Sequence, residues 1–337
     1  MTNSNTESQA VIVSDRADGK SERRVLLLRL AVTAILCGFL AWQVDLEAFW
    51  KRFATLRADW ILAAFLVVLG AIIVSAWKWS LILRERGHPL RYGQLLRHYF
   101  VGLFFNNVLP TSIGGDAVRA WETTKDTGDI PEAVGSVMTE RLIAGIALGM
   151  TALLGLPFIE ANARVVLFVA IFLIVNLAAV ALILSPKIAN SAVSALLPGR
   201  FANTRETVLK TVSVVRDTLR TKSLFVKIFV LSVLFQVLVA AVNACIFWAM
   251  DLDVSLAACV TLTPMIFTVT MLPISISGLG VREAAYWFFF AHVGVSQVDA
   301  VAASLAFFVI VAIASLPGAL LFAFKQRPAR KQEPSSR

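Results

Sequence analysis

Two short motifs that end in arginine are the most specific chemical feature of this sequence. Leu109–Arg119 reads Leu-Pro-Thr-Ser-Ile-Gly-Gly-Asp-Ala-Val-Arg, and Leu272–Arg282 reads Leu-Pro-Ile-Ser-Ile-Ser-Gly-Leu-Gly-Val-Arg. The two match at seven of eleven positions, and the second begins 163 residues after the first. A guanidinium presents a planar fork of donors that suits phosphate oxygens, and backbone N–H groups at a restarting helix add to an anion site. The pair therefore predicts a phosphate-binding site.

Charged residues in and near these motifs lie within or beside apolar runs. A charge at membrane depth costs roughly 2.5–3.5 kcal/mol on insertion scales, so each one needs a reason to be there. The alternative to a binding site is a structural ion-pair network that holds broken helices together, in which Asp116 caps a helix and the asparagines bond between helices. The candidate substrate-binding residues are Arg119, Arg282, Glu140, Arg141, Glu283, Asp116, Asn106 and Asn107.

The composition indicates a membrane protein. Of the 337 residues, 58% are hydrophobic and 16% are charged. Apolar runs of about 20 residues recur, the length needed to cross roughly 30 Å of hydrocarbon, and they are continuous, as in helices. The net charge of +9 lies largely in loops next to these runs. The positive-inside rule explains that charge, so no nucleic-acid partner is expected.

The long apolar runs predict six transmembrane helices. Basic residues beside them place both termini in the cytoplasm, which requires an even number of crossings. The expected location is the bacterial inner membrane. The six predicted spans are Val25–Val44, Trp60–Leu83, Glu132–Phe158, Val165–Leu184, Leu224–Met250 and Val301–Phe324.

Two shorter apolar runs, Tyr92–Val108 and Leu256–Met271, each end at one of the motifs. Each is short for a full span, so each predicts half of a re-entrant hairpin. Three full spans separate the hairpins, so the two enter from opposite faces, as in an inverted repeat. The predicted fold is an all-α polytopic membrane protein with about six full transmembrane helices and two opposed re-entrant hairpins. The alternative that the short runs cross fully stays open.

Polar segments divide the rest of the chain. We predict a disordered cytoplasmic tail over 1–22, one transmembrane domain over 23–325 and a basic cytoplasmic tail over 326–337. Within the domain, segment 187–222 is basic and carries apolar residues at helical spacing, which predicts one amphipathic helix on the cytoplasmic surface.

Signatures of catalysis and metal binding are absent from the sequence. It contains no Gly-x-x-x-x-Gly-Lys phosphate loop and no His-Glu-x-x-His pair, and its cysteines and histidines lack metal-ligand spacing. We therefore expect neither an enzyme nor a cofactor.

Three motifs in this order resemble a known family, the transmembrane region of lysylphosphatidylglycerol synthases within a wider flippase-like group. They are Asn106–Arg119, Glu140-Arg141 and Leu272–Glu283, and the resemblance runs from Leu26 to Phe324. It implies translocation of lipids between leaflets, and it puts the charged candidate residues named above at the family's motif positions. In bifunctional members a separate cytosolic domain attaches the amino acid. This chain stops soon after Phe324, so aminoacyl transfer is not expected.

The function expected from residues and resemblance together is that of a lipid transporter. It would move an anionic phospholipid or a lipid-linked phosphate, including polyprenyl-linked lipids, through a midplane site of arginines and carboxylates. The alternative is a non-transporting membrane partner of a lipid-modifying or glycosyl-transferring enzyme. A homo-oligomer and a lipid-synthesis enzyme are both left open as partners.

Overall fold

The computed structural model describes residues 51, 54–109, 114–158, 163–197, 201–270 and 278–324. These residues form eleven α-helices and no strand. In chain order the helices are α1 (Ala58–Glu85), α2 (Tyr92–Val108), α3 (Gly114–Thr127), α4 (Ile130–Gly155), α5 (Ala163–Leu184), α6 (Pro186–Leu196), α7 (Ala202–Arg220), α8 (Lys222–Ala249), α9 (Leu256–Thr270), α10 (Val281–Phe290) and α11 (Gln297–Ala323).

Five of the described helices are long and apolar enough to cross a membrane. They are α1, α4, α5, α8 and α11, with the apolar part of α5 beginning at Val165. Each coincides with one of the sequence-predicted spans, so the all-α polytopic membrane fold is confirmed. The predicted first span, Val25–Val44, lies outside the described residues, as do the two terminal tails.

Contacts at the ends of α1 define the two sides of the bundle. At its start, the Arg57 N–H donates to the Ala249 carbonyl at 2.9 Å, and the rings of Trp60 and Trp248 are 4.9 Å apart, so α8 ends beside the start of α1. We call this the far side. Beyond the end of α1, Arg86 makes a bidentate ion pair with Glu132 at the start of α4. We call this the near side.

Helices α2 and α3 form a hairpin that begins and ends on the near side. They are antiparallel, because His98 in α2 faces Asp126 in α3, whereas Gly102, further along α2, lies against Gly115, earlier in α3. At the other end, a Cβ added to Gly102 would lie 2.9 Å from the Gly115 carbonyl oxygen. Glycines permit this close approach of two backbones, so the helices can cross without intervening side chains.

Helices α9 and α10 form a second hairpin on the far side. Helix α9 starts just after α8 ends, and α10 runs parallel to α8, with Tyr286 bonded to Asn243 and the ring of Phe290 4.5 Å from that of Phe247. Both ends of this hairpin therefore lie beside the end of α8. The two hairpins open at opposite ends of the bundle, which is the opposed arrangement that the sequence predicts.

The polar segment between α5 and α8 differs from the prediction of a single amphipathic helix. The described residues form two helices there, α6 and α7. Pro198 and Gly199 stand between them in the sequence, and both residues disfavour a continuous helix. Helix α7 packs against α4, where Val214 covers Gly135.

The contact between α2 and α11 gives a test of this packing. A Cβ added at Gly318 would collide with the backbone carbonyl group of Phe100. We expect Gly318→Ala to destabilise the protein by about 1–3 kcal/mol, as overpacking does, measured by thermal unfolding in detergent. Gly70→Ala is the matched control, because nothing lies within 4 Å of its added Cβ. Equal melting temperatures for the two variants would contradict the packing described.

Candidate functional site

A cavity of about 240 Å³ lies where α1, α2, α4, α8 and α11 converge, and α3 and α9 contribute to its wall. Its residues come from near the middle of the long spans, for example Ile72 in α1, Gln236 in α8 and Val311 in α11. One part of the wall is charged and the rest is largely apolar. The apolar wall comprises Val68, Ala71, Ile72, Leu103, Ala144, Leu148, Val239, Val242, Phe267, Phe307 and Val311, beside the ring of Phe235.

Glu140 is the carboxylate at the charged end of the cavity. It lies in α4, is 4% exposed, and faces donors on two other helices. Ser75 in α1 donates to Glu140 Oε1 at 3.1 Å, and Lys78 Nζ lies 3.2 Å from the same oxygen. Arg119 Nη2 in α3 lies 2.6 Å from the other oxygen. Glu140 therefore joins the first hairpin to two membrane spans.

Arg119 is held mainly by aromatic rings. Its guanidinium lies 4.5 Å from the ring centroid of Trp79 and 5.3 Å from that of Tyr99, distances at which a cation is attracted to the ring face. Although Arg119 Nη2 is close to Glu140, the two are not aligned as a hydrogen bond, and Arg119 Nε has no partner among the described residues. Arg119 is only 3% exposed, so both nitrogens are buried, and neither makes an aligned hydrogen bond within the described part of the chain.

A second ion pair lies at the mouth of the cavity. Arg141 in α4 binds both oxygens of Asp116 in α3, at 2.7 and 2.9 Å. The Arg141 side chain is 47% exposed and that of Asp116 is 15% exposed. Arg119 Nη2 is also 3.6 Å from Asp116, so both carboxylates contact Arg119. The pair connects the start of α3 to the middle of α4.

The charges around the cavity do not cancel. Its described lining contains three cations, Lys78, Arg119 and Arg141, and two carboxylates, Asp116 and Glu140, so its formal charge is +1. Because Asp116 is held by Arg141 in bidentate geometry, Lys78 and Arg119 share Glu140 between them. The arrangement favours one further negative charge. Within the described residues, no group of three or more His, Cys, Asp or Glu residues could hold a metal ion.

Arg282 and Glu283 form a separate cluster in the second hairpin. Arg282 donates to Glu283 Oε1 at 2.8 Å and to Ser304 Oγ at 3.0 Å, and its guanidinium lies 4.8 Å from the ring of Phe308. Glu283 also accepts the Gly280 N–H at 2.6 Å, which caps the start of α10. This cluster is neutral and internally bonded, and neither residue is among the described lining of the cavity.

The eight candidate residues from the sequence thus fall into three places. Asp116, Arg119, Glu140 and Arg141 meet at the cavity. Asn106 joins them, because its Oδ1 accepts the Gly115 N–H at 2.9 Å and its side chain lines the wall. Asn107 instead donates to Ser315 Oγ on α11 at 3.1 Å. Arg282 and Glu283 make up the separate cluster.

The sequence analysis missed Lys78, which is 2% exposed and closes the charged end of the cavity. It lies between Trp77 and Trp79 near the end of a predicted span, where a lysine is expected to extend its amine to the membrane surface. The feature of the sequence that could identify Lys78 as a site residue is its spacing of three residues from Ser75. Residues three apart share a helix face, and both face α4.

A family comparison agrees with the motifs. The sequence model described as the lysylphosphatidylglycerol synthase TM region matches residues 26–318, most of the 337-residue chain. The chain belongs to this family. The resemblance seen in the three motifs is thereby confirmed.

Two archaeal relatives within the known proteins are similar over shorter segments. UPF0104 membrane protein PH1989 of Pyrococcus horikoshii is 24% identical over 151 residues, which cover 44% of this chain and 44% of the relative. UPF0104 membrane protein MJ1595 of Methanocaldococcus jannaschii is 27% identical over 128 residues, 37% of this chain and 36% of the relative. Each match spans less than half of the relative's length, and both relatives are named as membrane proteins.

The ion pair at the cavity mouth gives a second test. Asp116→Asn removes a bidentate charged contact between the first hairpin and α4. We expect it to lower stability by about 1.5–3 kcal/mol, the range for hydrogen bonds to charged groups, measured by thermal unfolding. Glu206→Gln is the control, because its 2.8 Å pair with Lys210 is exposed and within about 0.5 kcal/mol of neutral. If Asp116→Asn and Glu206→Gln have the same melting temperature, the ion pair between Asp116 and Arg141 does not stabilise the fold.

Proposed function

We propose that this protein carries an anionic phospholipid or a lipid-linked phosphate between the two leaflets of the membrane. The phosphate would bind at the charged end of the cavity, at Lys78 and Arg119, and the acyl or prenyl chains would lie along the apolar wall. Arginine suits phosphate oxygens because its donors form a planar fork, and lysine supplies a point charge. The family of lipid-synthase membrane regions supports a lipid-related role.

The excess positive charge of the cavity is the observation that carries this proposal. A purely structural ion network in a membrane would be expected to balance its charges, because an uncompensated buried charge costs several kcal/mol. Here three cations face two carboxylates, and Arg119 Nε is a buried donor with no partner in the described part of the chain. A phosphodiester carries one negative charge and several acceptor oxygens, so it supplies what the cavity lacks.

The proposed orientation follows from charge at the two sides of the bundle. Arg84 lies in the last turn of α1, and Arg86 and Arg91 follow that helix on the near side, whereas Asp251 and Asp253 lie beyond α8 on the far side. The positive-inside rule then puts the near side in the cytoplasm, with the first hairpin entering from it. We propose the bacterial inner membrane as the location. The sequence lacks a phosphate loop, so we propose transport without nucleotide hydrolysis, driven by a gradient, the membrane potential or lipid imbalance.

Leaflet exchange in proteoliposomes tests the proposal. The full chain is reconstituted with fluorescent phosphatidylglycerol or with labelled polyprenyl phosphate, and the outer-leaflet label is quenched chemically over time. We expect exchange faster than in empty liposomes, and a fall of at least about tenfold in Arg119→Gln, because truncating one partner of a buried charge pair costs 2–5 kcal/mol. Arg57→Gln is the control, since its pairs with Asp59 and Asp251 are exposed and remote from the cavity.

The outcome separates the carrier from its rival. Exchange that matches empty liposomes for every lipid tested would reject the carrier. The alternative, a non-transporting partner of a lipid-modifying or glycosyl-transferring enzyme, would then be pursued by identifying the proteins that co-purify. Loss of exchange in Arg57→Gln and Arg119→Gln alike would place the site elsewhere.

A further inference from the structure

We propose that Glu140 is a built-in substitute for the lipid phosphate, occupying its cations when the cavity is empty and competing with the substrate for them. This inference rests on the proposed function and assigns one residue a specific part in it. Glu140 would set how tightly the lipid binds and how readily it leaves.

The contacts of Glu140 are those that a phosphate would seek. Its carboxylate lies within 3.2 Å of a serine hydroxyl, a lysine amine and an arginine guanidinium, contributed by α1 and α3. All three donors line the cavity. An anion that enters along the apolar wall therefore reaches Lys78 and Arg119 only at the place where Glu140 already binds them.

The contact between Glu140 and Arg119 is not an aligned hydrogen bond, which allows a phosphate to replace the carboxylate. Glu140 Oε2 and Arg119 Nη2 lie 2.6 Å apart without hydrogen-bond alignment. Misaligned charged groups keep their Coulomb attraction but lose the directional part of a charge-assisted hydrogen bond. Arg119 therefore lacks an aligned acceptor among the described residues, and an oxygen of an entering phosphate would supply one.

The second hairpin contains a carboxylate, that of Glu283, whose position is fixed by several hydrogen bonds. Ser304 follows Arg282 by 22 residues, much as Glu140 follows Arg119 by 21. There the carboxylate comes from Glu283, whose two oxygens accept from Arg282, Ser304 and the Gly280 N–H. That carboxylate is bonded to its own helix and completes a neutral cluster. Glu140 lies in α4, whereas Lys78 lies in α1 and Arg119 lies in α3. Among the described residues, only one of its oxygens, Oε1, accepts an aligned hydrogen bond.

Competition between Glu140 and the phosphate can be tested with variants that change the formal charge of the cavity. With Glu140 in place the charge is +1, Glu140→Gln raises it to +2, Lys78→Met lowers it to 0, and the double variant returns it to +1. If Glu140 competes with the phosphate, affinity for an anionic lipid should follow this order. A neutral lipid without a phosphate, such as diacylglycerol, should bind all four proteins alike.

The experiment measures binding of labelled phosphatidylglycerol to the purified full chain in nanodiscs of phosphatidylcholine, with leaflet exchange measured in parallel. We expect Glu140→Gln to bind at least about tenfold more tightly and to exchange more slowly, the size of effect seen for close charge pairs. Lys78→Met should bind about tenfold more weakly, and the double variant should be within a few-fold of wild type.

Several outcomes would overturn the inference. Weaker or unchanged binding by a folded Glu140→Gln would make Glu140 a structural residue. If that variant does not fold, Glu140→Asp provides the test, since the shorter side chain keeps the charge but draws the carboxylate away from Lys78 and Arg119, and should tighten lipid binding. Weaker binding by a folded Glu140→Asp would reject competition. Wild-type protein that neither binds nor moves phosphatidylglycerol or labelled polyprenyl phosphate would reject the proposed function itself, whereas variants that fail to follow the charge order reject only the role of Glu140.

Discussion

The burial of Glu140 beside two cations is the interaction on which the surrounding architecture depends. Ions leave water at a cost of several kcal/mol each, and only close, well-placed partners offset that cost. The partners of Glu140 come from α1 and α3, so both helices must meet α4 at one level. That requirement explains the glycines at Gly102 in α2 and Gly115 in α3, because a Cβ at Gly102 would press on the Gly115 backbone and on Arg119 and would shift α3 within the hairpin.

The two halves of the chain use related motifs for different ends. Both have a short helix, a break and a second helix that carries arginine near its start. In the first half, Arg119 lies close to the carboxylate of Glu140 in α4, and its Nε has no hydrogen-bond partner among the described residues. In the second, Arg282 bonds to its neighbour Glu283 and to Ser304, and the cluster is closed. An inverted repeat thus gives one hairpin an open, charged site and the other a fixed, neutral support.

The sequence predicts the fold better than the site, for physical reasons. Span positions follow from apolar length, so the predicted spans agree with α5 and α8 within a few residues. The prediction of one helix between them rests on Val208, Val212, Val215 and Leu219, which all lie in α7, so it does not identify α6. Charges deep in apolar runs identified Arg119 and Glu140 as site candidates. Lys78 was not identified, because a lysine near a span end is ordinarily explained by its reach to water. The motif repeat treated Arg119 and Arg282 as equivalent, but residues outside the motifs, Glu140 and Ser304, decide their surroundings.

The ion pair between Arg86 and Glu132 has a consequence for how the chain enters the membrane during synthesis. It joins the end of α1 to the start of α4, and the whole first hairpin lies in the segment between them. The two spans can therefore be placed and clamped before the hairpin is inserted. In that order of events, the charged groups of α3 would enter a cleft that already contains Lys78 and Glu140. Insertion of a charged hairpin becomes a late docking step, and its free-energy barrier depends on how early this clamp forms.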